Sequence, residues 1–346
     1  MVCYNDPISG KNINNHYFLL FLTYLNFHCN IIKELQMQIT CKWRGHMKKK
    51  IISGVLSILM GITLIGCGDN TKTTTKNTDD NKLNVIVSIY PLKEFTEKIA
   101  GDKAEVTCLV PDNMEPHDYE PKTKDFQALT KSKVFIYNGL GMESWVDKVN
   151  ETIKDKNIVI VDSSSGIEVR KEEDAVDPHI WLSLKNAEIQ SQNIKDALIK
   201  SDEKNKDYYE ANYNKFKEEL ESLYSEYKPK FDALNQKNFI TGHAAFGYLC
   251  RDFGLTQKSV ENLFAEGEPT PKQLESLVVF CKENNIKTVF SESLASPKVS
   301  ETLAKEVQAN VVPILTLESK EDDKSYLEAM RYNLDEIYRC MLSEQK

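Results

Sequence analysis

The chain has 346 residues, of which 28% are charged and 41% hydrophobic, with a formal net charge of −8. That length accommodates two domains with a sizeable core, and the balance is that of a soluble globular body. No basic stripe offsets the acidic excess, which argues against a nucleic-acid partner.

From Met47 the chain reads MKKKIISGVLSILMGITLIGCGDN. Three lysines, an apolar run and a small residue before a cysteine make a secretory signal peptide over residues 47–66. The run from Ile51 to Ile65 is short for a membrane span. Leu64-Ile65-Gly66-Cys67 resembles the bacterial lipobox, which implies cleavage after Gly66 and lipidation of Cys67. Residues 1–46 lie upstream of this complete signal, so the reading takes Met47 as the start and the preceding stretch as a mis-called extension. Residues 67–82 are polar and read as a disordered tether. Beyond Cys67 four cysteines remain, Cys108, Cys250, Cys281 and Cys340, with no Cys-x-x-Cys spacing. An extracytoplasmic location permits a disulfide, and Cys340 is the expected participant, with its partner left open.

The body begins with a β-branched run, Asn84 to Ile89, read as a buried strand. A helix follows over Pro91 to Ala100, stopped by Gly101. Strands are predicted over 104–110, 133–137 and 157–161, with helices opening after Pro121 and over 143–153. Strands alternating with helices specify a parallel α/β lobe, residues 83–202 with the helix from Leu184 to Ile199. Next, Tyr209, Tyr213, Phe216, Leu220, Leu223, Tyr227 and Phe231 step by three or four and define one helical face. The opposite face is rich in Lys and Glu and reads as solvated surface, and Pro229 should kink or end this helix. A second α/β series fills residues 238–346, with strands over 239–241, 288–291 and 310–315 and helices over 271–284, 298–307 and 326–342. The predicted fold is therefore two parallel-sheet α/β lobes joined by one long rigid helix within residues 203–237. Such a linker resists wide opening.

Of six histidines, His16, His28 and His46 fall ahead of the signal. The other three stand far apart in sequence, each in a turn or just beyond a strand: His117 in PDNMEPHDYE, His179 in DPHIWL, and His243 in GHAAFGY. In open α/β sheets ligands collect beyond the carboxyl ends of strands. Pro178 stiffens the turn that presents His179. Glu292 directly follows the strand 288–291; by spacing alone it reads first as a helix-cap or surface carboxylate. Three imidazoles with one carboxylate, two groups from each lobe, suit a tetrahedral Zn²⁺ site.

Pro116-His117-Asp118-Tyr119-Glu120-Pro121, Asp177-Pro178-His179-Ile180-Trp181-Leu182, Gly242 to Tyr248 and Phe290-Ser291-Glu292 occur in that order. Together with the lipobox they resemble the zinc-binding lipoproteins of bacterial ABC importers, a branch of the metal-specific solute-binding proteins. The resemblance covers residues 83 to 342. It implies metal at the lobe interface, with ligand roles for His117, His179, His243 and Glu292. It also implies capture of Zn²⁺ outside the cell by a monomer anchored through lipid to the outer face of the membrane. Partners would be an ABC permease and a separate ATPase, since no Walker loop occurs in this chain. Many zinc-branch members carry a histidine-rich loop ahead of the second ligand, whereas Gly166 to Asp177 here is acidic and lacks histidine. Manganese relatives usually have a carboxylate at the place of His243 and an aspartate after the glutamate of the fourth motif. Both differences favour zinc. The alternatives are a manganese importer lipoprotein, a metal-dependent adhesin, and a zinc hydrolase, which would need an open coordination position.

Overall fold

The computed structural model describes residues 82–345 apart from residues 173, 265–268, 293–296 and 322. The extension 1–46, the signal segment 47–66, Cys67 and the tether up to residue 81 lie outside the described residues. Among the described residues no helix is long and apolar enough to cross a membrane.

The first lobe contains β1 (Leu83–Val87), α1 (Tyr90–Ala100), β2 (Ala104–Cys108), α2 (Thr123–Leu129), β3 (Val134–Tyr137), α3 (Val146–Ile153) and β4 (Val159–Asp162). Its sheet is parallel, in the order β2-β1-β3-β4. β1 and β3 are central, and their continuous apolar runs are almost wholly buried, as a helix-covered parallel sheet requires. Edge strand β2 alternates between more and less exposed residues. α1 has Pro91 in its first turn and ends at Gly101. There φ is 52°, a left-handed conformation that favours glycine, and an added Cβ would also press on the hydroxyl end of Tyr208.

The acidic run read as irregular carries a small antiparallel hairpin, β5 (Lys171–Glu172) and β6 (Ala175–Val176). α4 (Leu184–Ser201) follows, with Ser183 accepting from Asn186 N at its start. α5 (Lys206–Asp232) has 27 residues, a length of about 40 Å. Its buried stripe is Tyr209, Tyr213, Phe216, Leu220, Leu223, Tyr227 and Phe231, the face given by the sequence spacing. Pro229 sits in the last turn and the helix ends three residues later.

The second lobe runs β7 (Asn238–Thr241), α6 (Gly247–Phe253), β8 (Thr256–Ser259), α7 (Pro271–Glu283), β9 (Thr288–Glu292), α8 (Pro297–Val307), β10 (Asn310–Ile314) and α9 (Tyr326–Glu344). Its parallel sheet has the order β10-β9-β7-β8. Counted from its own first strand, this repeats the connectivity of the first lobe. β8, absent from the sequence reading, is a polar, half-exposed edge strand whose TQKS carries no apolar signal.

One apolar core spans both lobes because α5 packs into each. Phe216 meets Phe95 of α1 at 5.7 Å between ring centroids, and Phe231 meets Phe253 of α6 at 5.1 Å. Separating the lobes would expose these rings, so the linker behaves as a strut. Cys108, Cys250, Cys281 and Cys340 are all free. The disulfide expected through Cys340 is not formed; this thiol is buried in the shared core on α9, where no cysteine faces it.

Candidate metal centre

His117 lies in a short 3-10 turn, Pro116–Asp118, beyond β2. Glu115 caps the turn by accepting from His117 N at 3.3 Å. Tyr119 Oη and Lys122 N both donate to Asp125 Oδ2, tying the following loop to α2. Phe264 of the other lobe meets the His117 ring edge-on at 5.3 Å.

His179 is wholly buried. Asp177 Oδ1 accepts from its backbone N–H and lies 3.0 Å from Nδ1. That carboxylate selects the Nδ1–H tautomer and turns Nε2 outward with its lone pair free. Asp177 is itself held by Arg170 Nη1 at 2.9 Å, while Tyr248 Oη of α6 donates to the Asp177 carbonyl at 3.0 Å. Trp181 Nε1 donates to Thr316 O at 2.8 Å, and Tyr326 Oη donates to Trp181 O at 2.6 Å. The DPHIWL segment is thereby fastened to the loop after β10.

His243 follows β7 by two residues and is buried. Its carbonyl accepts from Thr241 Oγ1 and Gln257 Nε2. The loop after β10 brings Glu318, 1% exposed, with Thr316 Oγ1 donating to Oε2 at 3.0 Å. Leu317 just before it has φ of 61°, a left-handed conformation costly for a leucine and of the kind that clusters at functional sites.

The groups converge. His117 Nε2 and His179 Nε2 are 3.3 Å apart, and Glu318 Oε1 lies 3.7 Å from His179 Nε2 and 3.8 Å from His243 Nε2. One ligand atom each from His117, His179 and Glu318 fits within 4.8 Å of the others. Zinc at 2.0–2.1 Å from four tetrahedral donors places those donors about 3.3 Å apart. The separations of 3.3, 3.7 and 3.8 Å lie within a few tenths of an ångström of that figure, whereas His243 stands outside the group of three and must draw nearer to complete the shell. Both ring nitrogens of His243 and Glu318 Oε1 are buried without a hydrogen-bond partner. Buried polar atoms in that condition call for an ion or proton between them.

The carboxylate facing the Nε2 atoms is Glu318, which the sequence reading missed. Glu292, expected as the fourth ligand, stands elsewhere: its Oε1 is 3.7 Å from His243 Nδ1, on the other side of the ring. The signal for Glu318 was its place just beyond a strand end, the rule that found the histidines. It was lost among the acidic residues of ESKEDD. Burial pushes His117 down to about 3, with His179 adding to the effect, and holds His243 well below the usual imidazole value. Burial, reinforced by Glu115, holds Glu318 well above the usual carboxylate range. Neutral imidazoles and a protonated carboxyl are what a buried, metal-free cluster favours.

The family model described as "Zinc-uptake complex component A periplasmic" matches residues 85–340. The chain belongs to this family. It is a family of uptake components rather than of enzymes. A Treponema pallidum (strain Nichols) protein whose name describes it as metal-binding is 38% identical over 302 residues, covering 83% of this chain and 96% of its own. The high-affinity zinc uptake system protein ZnuA of Bacillus subtilis (strain 168) is 34% identical over 311 residues, covering 84% and 98%. A solved ZnuA structure superposes with a TM-score of 0.68 at 34% identity, over 75% of this chain and 99% of that one. A laminin-binding protein of Streptococcus agalactiae, described as bifunctional with adhesin and metal-transporting activity, superposes with 0.71 at 31% identity, over the same shares. The two-lobed α/β architecture expected from the sequence is the architecture of these proteins.

Proposed function

We propose that this protein captures Zn²⁺ outside the cytoplasm, as a monomer anchored through a lipid on Cys67, and hands it to an ABC permease driven by a separate ATPase. His117, His179, His243 and Glu318 are the ligands in this reading. The observation that carries it is the convergence of two Nε2 atoms on Glu318 Oε1 at 3.7 and 3.8 Å, with the third Nε2 3.3 Å from one of them. Three imidazoles and one carboxylate leave bound zinc at net +1 in a closed tetrahedral shell, with no open position for a hydrolytic water. Metal analysis of protein purified without added zinc tests the reading, one zinc per chain being expected. A chain that binds no zinc in direct titration would overturn it.

Lipidation is checked separately. Cys67→Ala should leave an uncleaved precursor or a released protein. If that variant still carries a diacylglyceryl-modified N-terminus, the anchor is elsewhere.

Selectivity should turn on His243. Manganese prefers oxygen donors and higher coordination and lies at the weak end of the divalent order. His243→Glu exchanges a nitrogen for a hard oxygen pair, so zinc affinity should drop, by less than the about two to three orders of magnitude that one ligand's share of ~10–16 kcal/mol represents. The gap to Mn²⁺ should narrow in competition titrations of both metals. An unchanged zinc-to-manganese ratio would remove His243 from the ligand set.

The S. agalactiae neighbour supports a second reading, binding of laminin. Surface-plasmon measurements on immobilised laminin, with zinc-loaded and metal-free protein, test it.

A further inference from the structure

Glu292 occupies the end of β9, the strand paired with β7, and its side chain is buried beneath the turn that carries His243. Its Oε1 accepts from His243 N at 3.2 Å and stands 3.7 Å from Nδ1 of the same residue. The His243 ring therefore lies between two buried carboxylates, Glu292 toward Nδ1 and Glu318 toward Nε2. Both ring nitrogens, Glu292 Oε2 and Glu318 Oε1 lack partners.

We propose that Glu292 is a positioning residue for metal capture, holding His243 as its Nδ1–H tautomer so that Nε2 is presented to zinc. The inference rests on the zinc-binding reading above and adds to it a role for a group outside the ligand shell. At 3.7 Å the Nδ1 contact is longer than a hydrogen bond, and a shift of about 0.8 Å closes it to ordinary N–H···O length. Such a movement of the imidazole gives Nδ1 an acceptor in the same Oε1 that already takes the His243 backbone N–H.

Two further observations support the assignment. The first lobe uses the same device, because Asp177 Oδ1 takes both the backbone N–H and the Nδ1 side of His179. The two lobes share one strand connectivity, and each braces a histidine by a buried carboxylate, Asp177 and Glu292 respectively. Second, room for Glu292 is made by a glycine: a Cβ on Gly242 would lie 2.0 Å from Glu292 Oε2. Any other residue there must displace the carboxylate. A carboxylate behind a metal-bound imidazole fixes ring orientation and raises ligand basicity, and losing one commonly weakens metal binding tenfold to a hundredfold.

The test uses purified protein with Zn²⁺ and Co²⁺ as probes, comparing wild type, Glu292→Gln, Gly242→Ala and Glu318→Gln. Circular dichroism and thermal melting confirm folding, and Glu292→Gln keeps the shape of the side chain. Glu292→Gln should bind one zinc about ten to a hundred times more weakly, with the visible spectrum of bound Co²⁺ unchanged in form. Gly242→Ala should weaken zinc binding in the same way, because it displaces the carboxylate without altering its chemistry. In the zinc-loaded wild type, nitrogen NMR should show His243 bound through Nε2 with a slowly exchanging Nδ1–H, and that proton should exchange faster in both variants. Glu318→Gln should change the Co²⁺ spectrum. Equal zinc affinity in wild type and Glu292→Gln would overturn the proposal while leaving zinc capture intact. A Co²⁺ spectrum altered by Glu292→Gln would overturn it too, by making Glu292 a ligand. A wild type that binds no zinc would overturn the importer reading and this proposal with it.

Discussion

Glu318→Gln should cost the protein about two to three orders of magnitude in zinc affinity. Zinc held by four protein ligands is bound by roughly 10–16 kcal/mol, so one ligand's share is about 3–4 kcal/mol, and each 1.4 kcal/mol is tenfold. The substitution preserves volume and the hydrogen bond from Thr316 Oγ1, so the loss reports on the charged oxygen rather than on packing. Glu318 Oε1 is the carboxylate oxygen that faces Nε2 of both His179 and His243, and it is buried without a hydrogen-bond partner. At neutral pH the metal-free protein must protonate Glu318 to keep it buried, a cost that glutamine lacks, so the metal-free variant should melt at or above the wild-type temperature. Competition titration against a chromophoric chelator measures the affinity. A Glu318→Gln protein binding zinc within tenfold of wild type would take Glu318 out of the ligand set.

Zinc affinity should rise with pH by about tenfold to a hundredfold per unit between pH 5.5 and 7.5, with one to two protons released per metal bound. The sign follows from which groups hold protons in the metal-free protein. Free histidine titrates near 6.5, which for three imidazoles would give steep competition by up to three protons. Burial alters this: His117 sits at about 3 and His243 well below the usual value, so both are neutral across the window. Glu318 is shifted the other way, well above its ordinary range, and holds a proton that zinc must expel; burial also lifts Glu292 to about 8, so it holds a second proton through the window and gives it up if it is to accept from His243 Nδ1–H. A group with a raised value binds metal against protons below that value, so affinity falls as the solution becomes more acidic. Calorimetry in two buffers of different ionisation enthalpy counts the protons. Glu318→Gln should lower the slope by the one proton that Glu318 contributes. A wild-type slope near three would mean that the histidines titrate as free side chains, and a flat wild-type profile would contradict a protonated Glu318.

The lobed architecture was legible in the chain because its signals are local. β1 and β3 are apolar on both faces, the α5 stripe from Tyr209 to Phe231 repeats every three or four residues, and Pro91 and Gly101 frame α1. A histidine in a turn or beyond a strand is also a local signal, and His117, His179 and His243 were each singled out as candidates that way. Elements without an apolar pattern were missed: β8 is four polar or half-exposed residues at a sheet edge, and the β5–β6 hairpin sits in a charged run. Strand pairing there is set by the neighbouring strand rather than by the residues themselves.

The assignment of carboxylates was decided only by the tertiary structure. Glu292 and Glu318 both follow strands of the second lobe, in adjacent positions of one sheet, and nothing local distinguishes them. What separates them is the side of the His243 ring that each faces, with Glu292 toward Nδ1 and Glu318 toward Nε2. That side depends on the pairing of β9 with β7, on the missing Cβ of Gly242, on the left-handed turn at Leu317, and on Trp181 of the opposite lobe holding Thr316. The cysteines follow the same logic, since their number was plain in the chain while their state as free thiols was not. Residue type and strand-end position supply the candidate donors in one dimension. Coordination is a matter of angles and distances around a point, and only the packing of two lobes on one rigid helix brings that point into being.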